Sequence, residues 1–183
     1  MPNLPLILVV DLHNTLVRSN DAWLKAFLFE GNIMNADFIE RKIYLKNSRR
    51  MISKQVNADY NKALEQYSKN IRPNAPLLRI LSDLQCAGLP IVIVTSAGSE
   101  RITKDIDRVR RFFTPDGIFD KTKFNKSNRS DWTALLKKFN AKKALYIGND
   151  VDEDVIDHKN VVTLLVGDFL SKKRAILKRH REN

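Results

Sequence analysis

The sequence predicts an α/β protein: a mostly parallel sheet flanked by helices and interrupted by a small all-helical insertion. Three observations lead there. Short Leu, Ile and Val runs alternate with stretches of helical spacing over most of the chain, a pattern that implies parallel strands joined by right-handed crossovers. Residues 20–70 break this alternation, with no β-branched run and with apolar residues at helical intervals. Two acidic clusters, far apart in sequence, each follow a strand-like run: Asp11 in LPLILVVDLHNT, and Asp150, Asp152 and Asp154 in ALYIGNDVDEDV. A carboxylate just past a parallel strand lies at the carboxyl edge of the sheet, where open α/β folds keep their sites. Together the clusters make an oxygen-rich pocket of the kind hard cations such as Mg²⁺ prefer.

The elements follow in order. Residues 4–10 read as a buried strand. In the insertion, Trp23, Phe27 and Leu28 mark one helix, Phe38, Ile39, Ile43 and Leu45 a second, and Tyr60, Leu64 and Tyr67 a last. Asn20 or Asp21 is the candidate cap of the first, and Asn57 or Asp59 starts the last. Pro73 and Pro76 mark the return to the main domain, where residues 77–87 form an amphipathic helix closed by Gly88. Pro90 opens a strand at 91–95, and residues 99–113 are polar and helical. A short strand is expected at 117–119, a helix capped by Ser130 at 130–139, and strands at 144–147 and 161–166. The expected division is a core of residues 1–18 and 72–183 and a helical cap of residues 19–71.

An apolar fraction of 43% in 183 residues is enough for an ordinary core. Cys86, the sole cysteine, excludes an intrachain disulfide; it is expected as a buried small hydrophobe in a reducing, cytoplasmic setting. The run from Leu4 to Val10 has no basic residue before it and leads into Asp11, unlike a signal peptide. No apolar run has the length of a bilayer span, so no membrane partner is expected. The formal charge of +11, from 32 basic and 21 acidic residues, attracts anions without choosing among them. Lys172, Lys173, Arg174, Lys178, Arg179 and Arg181 crowd the C-terminus. They read as a solvated helix face with Ile176 and Leu177 turned inward, the alternative being a nucleic-acid contact.

Four segments, in this order, resemble the haloacid dehalogenase (HAD) superfamily of phosphohydrolases and their relatives. LILVVDLHNTLV is similar to the family's strand followed by D-x-D-G-T-L, and PIVIVTS to its strand ending in Thr or Ser. KSNRSDWTALLKKF resembles its lysine before a helix, and ALYIGNDVDED its acidic final motif. VRSNDAW is similar to the V-D-S-x-x-x-W that opens the small cap of the first subclass. The resemblance implies a Rossmann-like core and a Mg²⁺-dependent phosphohydrolase of small phosphorylated metabolites or nucleotides. It makes Asp11 the nucleophile that forms an aspartyl-phosphate. It gives Mg²⁺ the ligands Asp11, Asp150, Asp154 and the backbone carbonyl of His13. Asp154 lies one helical turn after Asp150, so both face one site if a helix starts there, with Asp152 directed elsewhere. It places the Thr95 hydroxyl on a phosphate oxygen beside the amides of Ser96 and Ala97, with Ser96 as substitute if the register is off by one. A lysine clamps carboxylate and phosphate; Lys126 is the first candidate, with Lys123 and Lys121 as rivals.

One residue departs from the pattern. His13 stands where family phosphatases carry a second aspartate, the acid and base of the reaction. Three readings follow: His13 does that work itself; the phosphorylated intermediate breaks down slowly, giving a poor hydrolase or a phosphotransferase; or the protein is a non-catalytic binding module, associated with nucleic acid through its basic tail. Asn14, in place of the family's glycine, suits a left-handed turn. In the cap, Arg41, Lys42, Lys46, Arg49, Arg50 and Lys54 read as an exposed helix face, or as contacts to a second anionic group of the substrate. His158 and His180 are expected on the surface, and Trp23 and Trp132 in packing, with the substrate entrance as the alternative for Trp23.

Overall fold

The computed structural model describes residues 6–31, 36–45, 48–97, 99–150, 154 and 156–170. Lys46, Asp152, His180 and the basic C-terminal cluster lie outside the described residues. The chain divides into two compact units, one of Met1–Leu16 with Asn74–Asn183 and the other of Val17–Pro73.

The larger unit is built on five parallel strands: β1 (Leu6–Asp11), β2 (Ile91–Val94), β3 (Gly117–Phe119), β4 (Lys143–Gly148) and β5 (Val161–Leu165), in the order β3-β2-β1-β4-β5. The expected α/β class is the one found. Ile7 to Val10 of β1 and all of β2 are buried, as a sheet covered on both faces requires. Because side chains alternate along a strand, Ile7 and Val9 of β1 share one face with Val92, Val94, Ala144, Tyr146 and Val161. That face packs against Trp132, Leu135 and Leu136 of α7 (Arg129–Lys138) and against Phe124. Tyr146 meets Trp132 edge-on at 5.6 Å, and Trp132 meets Phe124 the same way at 4.9 Å.

Two further helices of this unit are α5 (Ala75–Cys86) and α6 (Ser99–Val109). Leu77, Leu78, Leu81 and Leu84 form the buried stripe of α5. Cys86, expected inside, is exposed. It falls off that stripe, since two residues beyond Leu84 the helix has turned by about 200°. The cap of α7 is Asn128, whose side chain accepts the N–H of Ser130, rather than Ser130 itself. Gly88 follows α5 at φ 89°, the left-handed conformation a glycine adopts without strain.

The smaller unit holds α1 (Ser19–Glu30), α2 (Ala36–Tyr44), α3 (Arg49–Gln55) and α4 (Tyr60–Asn70). Its aromatic centre is Trp23, fully buried and stacked on Tyr67 at 4.5 Å, Phe27 at 5.4 Å and Tyr60 at 6.0 Å. Ala22, Ala26, Ile39, Ile43, Ile52, Ala63 and Ile71 are buried in the same unit, while Leu28, Phe38 and Leu45 point outward. Asp59 caps α4 by accepting the N–H groups of Asn61 at 2.8 Å and Lys62 at 3.1 Å. Neither Asn20 nor Asp21 caps α1: the helix starts at Ser19, with Arg18 in the cap position and Asp21 inside the first turn. There its carboxylate still answers the helix dipole. Within this unit the basic side chains brace the helices: Lys42 lies over Phe38, Arg50 over Tyr60, and Arg49 donates to Asn20 Oδ1 at 3.1 Å.

Removal of the buried indole by Trp23→Ala should cost about 3–5 kcal/mol of folding stability. Phe29→Ser, at a position 70% exposed, should stay within about 0.5 kcal/mol. Urea unfolding of the two variants checks the contrast.

Candidate active site

The strand order places a topological switch between β1 and β4. The chain leaves β1 toward β2 and β3 on one side and returns to β4 on the other, and ligands of open α/β sheets bind at such crevices. Asp11 is the last residue of β1 and pairs in register with Val94, while Val10 pairs with Ile147. Thr95 therefore follows β2 and Asn149 follows β4 at the same carboxyl edge as Asp11. The Thr15 hydroxyl ties this edge together, 3.4 Å from Asp11 Oδ2 and 3.2 Å from Asn149 Oδ1. Asn14 holds the intervening turn at φ 60°.

Lys126 joins the two acidic clusters. Its ammonium donates to Asp11 Oδ1 at 2.6 Å and to Asp154 Oδ1 at 3.1 Å. Lys121 and Lys123, its two rivals in sequence, are exposed. They belong to a turn organised by Asp120, whose Oδ1 accepts both the N–H and the hydroxyl of Thr122. Lys126 is set from behind by Trp132, whose indole N–H donates to the Lys126 carbonyl at 2.7 Å. Trp132 thus packs, as expected, and also anchors the lysine loop. Nothing in the sequence spacing signals that second contact.

Asp154, expected among the metal ligands, has donors on both of its carboxylate oxygens. Oδ1 receives Lys126 and, at 2.5 Å, the Tyr146 hydroxyl; Oδ2 receives the backbone N–H groups of Asn149 at 2.9 Å and Asp150 at 3.0 Å. These four donors tie Asp154 to Lys126, to Tyr146 and to the backbone at Asn149 and Asp150. The Asp154 N–H reaches the Asp150 carbonyl at 3.0 Å. Gly148 makes room for this arrangement, since a Cβ there would overlap the Asp154 carboxyl group.

Electrostatics follow from burial and this one shared cation. Burial pushes the Asp11 carboxyl above its ordinary value, and the Asp154 charge adds to that, against the pull of Lys126. Burial also disfavours the charge on Asp154, but Lys126, Tyr146 and the Asp150 N–H outweigh it and hold that carboxyl below its ordinary value. Lys126 loses solvation by burial, yet the two carboxylates raise its value above 10.5. Two carboxylates on one ammonium leave negative charge in excess, and Thr95, Asn149 and Asp150, which follow the neighbouring strands, add oxygens at this edge. That donor set suits a hard divalent cation. No group of three or more His, Cys, Asp or Glu placed to hold a metal occurs among the described residues.

His13 faces Thr95 and α6. Its Nδ1 lies 3.3 Å from Thr95 Oγ1, and its Nε2 lies 3.1 Å from Asp105 Oδ2. Ala97 donates its N–H to Thr95 Oγ1 at 3.2 Å, while Ser96 is exposed. Asp105 is the functional candidate that sequence reasoning missed. The available signal was an acid at a position of α6 flanked by the buried Ile102, Ile106 and Val109. His158, off this site, contacts Thr133.

No family model matches the chain, and no curated protein matches it. Solved structures do. One is the structure of a β-phosphoglucomutase candidate from Thermotoga maritima, 12% identical over 94% of this chain and 98% of that one, with a TM-score of 0.66. Another is a HAD family hydrolase from Deinococcus radiodurans R1 with bound phosphate and sodium, 14% identical over 98% and 97%, TM-score 0.63. A third is a HAD-superfamily hydrolase from Ehrlichia chaffeensis, 15% identical over 97% and 100%, TM-score 0.54. This chain has the fold of the haloacid dehalogenase hydrolases.

Lys126→Met should destabilise the protein by about 3–5 kcal/mol at neutral pH, because two carboxylates lose their shared partner. The folded value of Lys126 lies above 10.5, so its contribution is complete below that pH and is lost as pH rises through the folded value. The stability gap between wild type and variant should therefore narrow in alkali, as urea titrations at neutral and alkaline pH would reveal.

Proposed function

We propose that the protein is a Mg²⁺-dependent phosphohydrolase acting on a small phosphorylated metabolite or nucleotide through an aspartyl-phosphate on Asp11. The observation that carries this reading is the ammonium of Lys126 held between Asp11 and Asp154 at the carboxyl edge of the central strand. It sets a cation against the buried Asp11 carboxylate and fixes its place, as a nucleophile needs. Asp11, Asp150 and the backbone carbonyl of His13 would hold Mg²⁺. When bound, the ion supplies positive charge against the phosphate oxygens.

The chain's own residues divide the remaining work. Asp11 attacks phosphorus as the bond to the leaving oxygen breaks, and a charged His13 gives its proton to that oxygen. A water then bonds to phosphorus through its oxygen, its proton passes to the neutral His13, and the bond between phosphorus and Asp11 breaks. His13 ends as it began, so one residue serves as acid and then as base. The Thr95 hydroxyl and nearby amides donate to phosphate oxygens, and Lys126 offsets the charge that accumulates on them. With the fold neighbours described as HAD hydrolases, one of them with bound phosphate, this reading is favoured over a non-catalytic binding module.

The test is Mg²⁺-dependent phosphate release from an aryl phosphate. Asp11→Asn should abolish it, and His13→Ala should lower kcat by about 10²–10⁴-fold. Removal of Mg²⁺ by a chelator should stop turnover, and its return should restore it. Silence of the wild-type protein across a broad panel of phosphate esters would overturn hydrolysis.

A further inference from the structure

Asp105 sits on the buried side of α6 with only 2% of its surface exposed, between apolar neighbours Ile102, Ile106 and Val109. A carboxylate in such a place needs donors, and one of them is His13 Nε2 at 3.1 Å. The other ring nitrogen, Nδ1, lies 3.3 Å from the hydroxyl of Thr95, itself 3% exposed. The contacts around this group give the chain of hydrogen bonds a direction. The Ala97 N–H donates to Thr95 Oγ1, which leaves the Thr95 proton free to point at His13 until a phosphate oxygen takes it. An ionised Asp105 only accepts, so the proton of a neutral imidazole belongs on Nε2. Nδ1 then carries the lone pair and faces the hydroxyl expected to bind phosphate.

We propose that Asp105 is a positioning residue that holds the His13 ring in the Nε2–H form with Nδ1 turned toward Thr95, so that an imidazole–carboxylate pair does the work of a single carboxylate. The catalytic half of this proposal rests on the phosphohydrolase reading above; the ring orientation does not. A histidine ring at this place has two nitrogens and a freely turning side chain, where a carboxylate has two equivalent oxygens. Unless one nitrogen is engaged, the acid–base atom is undefined. Asp105 removes that ambiguity from behind, in the way second contacts to a histidine set which nitrogen reacts. Its position on α6, 92 residues beyond His13, also explains why no local motif announces it.

Two measurements test the proposal. The first needs no turnover: long-range ¹H–¹⁵N spectra of the full chain with labelled histidine, near pH 8, with His13→Gln assigning the signal. Wild type should show His13 protonated on Nε2 and bare on Nδ1, and Asp105→Asn should shift it toward the other form or a mixture. A wild-type ring protonated on Nδ1 overturns the proposal, whether or not Asp105→Asn folds. The second is a double-mutant cycle on phosphate release. Asp105→Asn should lower kcat about 100-fold with KM within twofold, Asp105→Glu should recover part of the rate, and Asp105→Asn should add nothing in the His13→Gln background. A loss that persists undiminished in that background would mean that Asp105 acts on the fold and not through His13. A wild-type protein with the expected ring form but no turnover would sink the hydrolase reading and leave the positioning role standing.

Discussion

Lys126 is the constraint on which the rest of the site depends. One ammonium satisfies two buried carboxylates that arrive from opposite ends of the sequence, Asp11 at the end of β1 and Asp154 beyond β4. Without a shared cation, two such charges on one side of a low-dielectric core would repel and one would take up a proton. With it, both are held in place and the cost of both charges falls, although burial still leaves the Asp11 carboxyl above its ordinary value. Burial raises the cost of each charge and also strengthens their attraction to the lysine, so the arrangement is rigid for the reason that makes it costly to break.

Around that ion triad the packing is arranged to leave it little freedom. Trp132 belongs to the hydrophobic face of α7, yet its indole N–H holds the carbonyl of Lys126. Tyr146 belongs to the buried face of β4, yet its hydroxyl reaches Asp154. The two rings touch each other edge-on. Core side chains with one polar end thus carry the order of the apolar interior to the edge of the sheet. Gly148 completes the frame by leaving the space that the Asp154 carboxylate fills.

His13 gives the site its individual character. The sequence resemblance leads to the expectation of an aspartate at this position, and under the proposed function His13 replaces it with support of its own. A carboxylate would need no second group to define its reacting atom. An imidazole does, and Thr95 on one side and Asp105 on the other engage its two nitrogens. Among the basic residues of the helical unit, Arg49 and Arg50 brace its helices.

Local order was legible in the sequence because it is written in local terms. Leu, Ile and Val runs marked the strands, Asp59 marked a helix start, and Asn14 marked a left-handed turn. Asp11 and Asp154 were visible as acids following strands, since the end of a buried apolar run is a local signal. Which of three nearby lysines reaches them was not visible: Lys121, Lys123 and Lys126 differ only in where one turn points them, and that is decided by Asp120 and Trp132. Cys86 was misplaced because its burial depends on helix phase relative to a neighbouring sheet. Asp105 was unseen because its partner is 92 residues away. The sequence by itself determined the strands, the helices other than α3, and the acids at their ends, through period and propensity. Only the tertiary structure decided which charges meet, because pairing in a buried site depends on distance through space, and distance along the chain does not encode it.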